Sequence, residues 1–158
     1  MTNKQKQIEF NLIQNYINQG TVPDITHPKN LIPKTEDFVK YHTFRFLISN
    51  NYVVLQVAYG KAHGTDILAM HKETKKILKI EAKGASYHNA DGVNLNTAIG
   101  ELLRDLDPNI DYMLAFPSDT GLQKWYLKDY KLFKSIMSPY GLNKIFTVYD
   151  NGEVKIEE

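Results

Sequence analysis

Three short runs rich in β-branched and aromatic residues follow one another in the middle of the chain: YVVLQVAY (52–59), DILAMH (66–71) and KILKIEAK (76–83). Each reads as a strand. Only the loop GKAHGT (60–65) and the polar stretch HKETKK (71–76) separate them. A parallel neighbour needs a crossover of a dozen residues or more, so links this short force an antiparallel meander. That meander is the strongest constraint on the fold.

Helical patterns flank it. Residues 35–49 begin at Thr35, a helix N-cap residue, with Glu36 and Asp37 at the positive end of the dipole. Phe38, Tyr41, Phe44, Leu47 and Ile48 form its inward stripe. Residues 94–106 are amphipathic through Leu95, Ala98, Ile99, Leu102, Leu103 and Leu106, with Pro108 as the stop. A strand at 111–116, a helical region at 119–137 and a hairpin turning at Asp150-Asn151-Gly152 complete the chain. The order predicts an α/β sandwich around a mixed sheet, whose later core strands, joined through helices, run parallel. Ahead of this domain (35–158), residues 4–19 read as a helix stopped at Gly20, and 21–34, with three prolines, as an extended linker. The N-terminal helix and linker (1–34) thus form an extension. It has three possible roles: packing on the core, pairing with another subunit, or touching a ligand.

Composition removes several function classes. The 158 residues contain no cysteine, which excludes disulfides, thiolate metal sites and a cysteine nucleophile. The start of the chain has no apolar signal-peptide core, and no apolar stretch is long enough for a membrane span. A cytoplasmic protein with no membrane partner is the expectation. The five histidines are scattered, and neither a phosphate-binding P-loop nor a G-x-S-x-G elbow is present. Net charge is only +1, and the only arginines are Arg45 and Arg104. Lysine meets phosphate as a point charge, whereas arginine reads guanine through its fork, so any nucleic acid would be recognised by backbone or shape.

The hairpin of strands 66–71 and 76–83 places charged residues together. A two- or four-residue turn centred between Glu73 and Thr74 sets Asp66 directly opposite Glu81, with Cβ atoms ~5 Å apart on one face. Lys83 lies on that same face, two residues on. Two carboxylates that close repel unless a cation lies between them, and Mg²⁺ favours one or two carboxylates with waters retained. The competing interpretation is that Lys79, Glu81 and Lys83 are the wet side of a half-exposed strand. Against it, the strand is central in the predicted order, its acids stand beside two glycine-bearing loops, and helix 94–106 must cover one face.

Asp66, fourteen intervening residues, then Glu81-Ala82-Lys83 resembles the motif of the PD-(D/E)XK nuclease superfamily, which has the restriction-endonuclease-like fold. Thr65 stands where the name-giving proline would be, and the resemblance covers about residues 35–150. It implies a three-layer sandwich, a central mixed sheet flanked by helices, and Mg²⁺-dependent hydrolysis of DNA phosphodiesters, with Mn²⁺ as a substitute. It also implies that Asp66, Glu81 and the Ala82 carbonyl bind metal, and that Lys83 acts on the water or the scissile phosphate. Glu36 would be the further acid of the first core helix, although the helix dipole alone accounts for an acid there.

Lys61, His63, Ser86 and His88, in the loops bordering Asp66 and Lys83, are candidate phosphate contacts and equally ordinary loop residues. The resemblance also implies a polar residue of helix 94–106 facing the site, and its polar face offers Asn96, Thr97, Glu101 and Arg104; Glu101 and Arg104 are equally spaced as a surface ion pair. Gly100 within its helix suggests close packing against the sheet, and Trp125, Tyr126 and Tyr130 read as core. The expected function is an endonuclease working as a two-fold homodimer, since one such site cuts one strand. A non-catalytic nucleic-acid-binding or interaction module that keeps the fold is the rival, and RNA is an alternative substrate.

Overall fold

A computed structural model describes residues 1–86 and 90–158. Among the described residues run α1 (Asn3–Gln19), α2 (Glu36–Ser49), β1 (Tyr52–Val57), β2 (Ile67–His71), β3 (Ile77–Ala82), α3 (Asp91–Leu103), β4 (Ile110–Pro117), α4 (Gly121–Asp129), α5 (Lys131–Met137), β5 (Ile145–Val148) and β6 (Val154–Glu157). The six strands form one mixed sheet in sequential order. β1, β2 and β3 are the antiparallel meander, β3, β4 and β5 run parallel, and β6 returns antiparallel. No helix among the described residues is long and apolar enough to cross a membrane.

The register of the β2–β3 hairpin follows from its turn. His71 N–H donates to Lys76 O, and Lys75 takes the left-handed conformation that closes the four-residue loop. Ile67 therefore pairs with Ile80 and Leu68 with Lys79, so that Asp66 and Glu81 come next in line. At the other hairpin Gly152, at φ 85°, provides the left-handed turn residue between β5 and β6.

Strand alternation sorts the side chains to two covered faces. On one, Ile67, Ala69, Leu78, Ile80, Ala82, Ala115 and Phe146 pack against Phe38, Val39 and Leu47 of α2. On the other, Val53, Leu55, Leu68 and Met70 meet Leu12, Ile13 and Tyr16 of α1. Farther across that second face, Tyr112, Leu114, Phe116 and Ile145 meet α3 and α4. Helices on both sides of the sheet give a three-layer arrangement. Of the three roles open to the leading helix, packing on the core is the one observed.

Several sequence expectations fail here: Ile48 and Leu103, read as inward-facing, are exposed. Trp125 is not in the core: it is exposed, with its ring against Gly92, while Tyr126 beside it is buried. Gly100 is not packed on the sheet: a Cβ there would have nothing within 4 Å. It is exposed on α3 and leaves only the entropic penalty of glycine in a helix. Gly100→Ala is therefore expected to raise stability by about 0.5–1 kcal/mol, read as a higher midpoint in urea with an unchanged slope.

Candidate active site

The polar strip of β3 lies between the footprints of α1 and α3. Lys79, Glu81 and Lys83 line a cleft of about 320 Å³ together with Asp66, His63, Gly64 and Thr65 from the loop before β2 and Arg104 and Asp105 after α3. The first turn of α1 closes one wall. Asp66, Glu81 and Lys83 are neither splayed apart nor sealed: their side chains are 11%, 13% and 17% exposed. The strip is not a freely solvated strand face. Lys79 is taken by Glu9 of α1 at 2.8 Å, and the second oxygen of Glu9 accepts from the Thr65 N–H.

Each reactive group is held by identifiable neighbours. Asp66 stands immediately before β2: its Oδ2 accepts from the Ala82 N–H at 2.9 Å, and its Oδ1 meets the Lys40 ammonium at 2.7 Å. A carboxylate offers about four lone-pair sites, so both oxygens keep one free. Ala82 N–H points to the β2 side, and in an extended strand the carbonyl of the same residue turns with it. Lys83 Nζ bridges Glu81 at 2.9 Å and Glu101 of α3 at 3.1 Å. Burial, a shared hydrogen bond with Glu101 and the charge of Asp66 push the Glu81 carboxyl up to about 9, with Lys83 working against them. Glu101, the more exposed of the two acids, is held below the usual range, with its bond to Glu81 the largest cause. Lys83 loses solvation by burial, but Glu81 and Glu101 outweigh that loss and hold it firmly as an ammonium.

The remaining predicted residues separate. Glu36 is the first residue of α2 and reaches Asp66 only through Lys40, whose Nζ it meets at 2.6 Å. It sits on the margin of the site, outside the cleft. His63 lines the cleft, while Lys61 is an exposed loop residue that does not. Ser86 is committed elsewhere: both its N–H and its hydroxyl donate to Asp91, which also accepts from Gly121 N–H. His88 lies outside the described residues. Glu101 has Lys83, not Arg104, as its ion-pair partner.

Lys40 and Glu9 are the neighbours of the site that sequence reasoning missed, whereas Glu101 was among the polar-face residues of helix 94–106. Lys40 had a visible signal, since a glutamate four residues N-terminal to a lysine is a helical ion-pair spacing. It also falls on the buried stripe of α2 with Thr43 and Leu47, where a lysine demands a partner. Glu9 had none, because its partner is set by tertiary packing.

Acidic side chains outnumber the ammonium groups they meet here. Four carboxylates, Glu36, Asp66, Glu81 and Glu101, face two ammonium groups, Lys40 and Lys83. The raised Glu81 follows first from its burial and then from the neighbouring acids Glu101 and Asp66. Among the described residues no group of three or more His, Cys, Asp or Glu could hold a metal. Set against protein-family models, curated proteins and solved structures, the chain matches none of them.

Proposed function

We propose that this protein is a metal-dependent phosphodiesterase. More specifically, we read it as a DNA endonuclease of the restriction-endonuclease-like kind, working with Mg²⁺ or Mn²⁺. The observation that supports this most is the meeting of Asp66, Glu81 and Lys83 in one open cleft at the end of the β2–β3 hairpin.

Asp66, Glu81 and the Ala82 carbonyl would hold the ion. When bound, it supplies Lewis-acid stabilisation of the charge that builds on a phosphoryl group. Lys83 stays an ammonium throughout, so its role is to hold water and phosphate oxygens in place and to offset their charge, not to accept a proton. Glu101 keeps Lys83 aimed along the strand. Arg104 and His63 also line the cleft and would meet flanking phosphates. One site cuts one strand, so a two-fold pair of subunits would be needed to break a duplex.

The alternative of a binding module draws on Asp66, whose two oxygens already serve the fold through Lys40 and Ala82. Supercoiled plasmid with Mg²⁺ or Mn²⁺ separates the two. The nuclease reading expects nicked or linear product, lost at least 100-fold in Glu81→Ala and in Lys83→Ala. DNA retention on a gel with no cleavage under either metal, unaffected by those substitutions, favours the module. Cleavage of a matched RNA but not the DNA would change the substrate.

A further inference from the structure

Lys40 Nζ occupies a cage that the rest of the site does not explain. It is 2% exposed and has three oxygens in contact: Glu36 Oε1 at 2.6 Å, Asp66 Oδ1 at 2.7 Å and the Ala58 carbonyl at 2.6 Å. An ammonium has three donors, and all three are used. The ammonium thus sits between an acid of α2 and the acid just before β2, with a carbonyl as its third partner, in an all-oxygen setting of the kind that hard divalent ions choose.

We infer that Lys40 is a built-in cation occupying the place where Glu36 and Asp66 would otherwise hold a second divalent ion, so that the site takes one metal ion and not two. This rests on the nuclease reading of the Asp66–Glu81 cleft. Lys40 is a positioning residue: it touches neither ion nor substrate. It fixes the Asp66 Oδ1 direction, leaving Oδ2 and Glu81 to face the cleft, and it keeps Glu36 as a counter-charge instead of a ligand. The ammonium is compact and cannot exchange with solution, so that position is independent of the metal supply.

The test counts bound Mn²⁺ on the intact chain by electron paramagnetic resonance and titration calorimetry, with plasmid nicking alongside. One Mn²⁺ in the wild type, a Kd that changes less than twofold in Glu36→Gln, two Mn²⁺ in Lys40→Ala, and a return to one in Lys40→Ala/Glu36→Gln support the inference. Two Mn²⁺ in the wild type, or one in a folded Lys40→Ala, overturn it while leaving the nuclease reading standing. If Lys40→Ala does not fold by circular dichroism, the wild-type count and the Glu36→Gln comparison still decide: a Glu36→Gln loss of more than tenfold in Mn²⁺ affinity makes Glu36 a ligand and overturns it. No Mn²⁺ bound and no nicking in the wild type removes the nuclease reading, and the inference with it.

Discussion

Glu81→Gln is expected to give a chain that is more stable and catalytically dead. The Glu81 carboxyl is pushed from 4.5 up to about 9, chiefly by burial and then by its neighbours Glu101 and Asp66. The native state therefore holds a proton that the unfolded chain releases. For an acid raised in this way, the sign is unfavourable to stability at high pH: the native state loses ground as pH climbs from about 4.5 towards about 9. Glutamine keeps the acceptor for Lys83 and a donor for Glu101, and it removes the charge. In metal-free buffer at pH 8 the substitution should add about 2 kcal/mol, a rise of roughly 4–8 °C in Tm, and the gain should shrink towards pH 5. Added Mn²⁺ should raise the wild-type Tm and leave the variant unmoved, because an amide is a poor ligand for a hard cation. Thermal melts at several pH values, with and without Mn²⁺, check this. A Gln variant no more stable than wild type at pH 8 would show that Glu81 is ionised at no cost in the native protein.

Gly84→Ala is expected to do the opposite: to damage the fold and the site together. Gly84 follows the Lys83 of β3 directly, and a Cβ there would lie 2.5 Å from Glu36 N and 3.0 Å from Lys34 O and the Thr35 carbonyl carbon. All three are backbone atoms, which cannot swing aside as a side chain would. The start of α2 must back away, breaking the Ala85 N–H bond to Lys34 O and carrying Glu36 with it. Overpacking of this kind costs about 3 kcal/mol, which is roughly a 6–12 °C drop in Tm for a chain of this size. Nicking should fall by more than tenfold at temperatures where the variant is still folded. The same substitution at Gly100 is expected to stabilise, so the pair separates crowding from any general effect of adding a methyl group. An unchanged melt for Gly84→Ala would mean that α2 can yield at its first turn, and Glu36 would then not be held rigidly.

The hairpin register was legible in the sequence because a polar turn without glycine, flanked by alternating runs, admits few closures. The β2–β3 pairing therefore put Asp66, Glu81 and Lys83 at one strand end before any coordinates did. The meander, the parallel core strands and the sandwich layering were readable for similar local reasons. What escaped depends on side chains that meet across long separations. Lys79 looked like part of a wet face because its partner, Glu9, lies far back in the chain. Glu101 was open to the site or to Arg104, its neighbour on the helix, and only the packing of α3 turns it towards Lys83. Gly100 was read as a contact because glycine within a helix usually has a reason, and here none is visible. Trp125 was read as core on size alone, while the surface between α3 and α4 leaves it half outside.

The pairing of Glu9 with Lys79 also bears on the role of the first helix. Lys79 lies on β3 with Glu81, and the carboxylate bonded to it, Glu9, arrives from the first helix. Removing that helix would take this partner from Lys79 and bare Leu55, Leu68 and Met70 to water. The leading segment is thus the sheet's missing lid and its electrical neutraliser in one piece, and a shortened chain lacking it would be a different, stickier molecule.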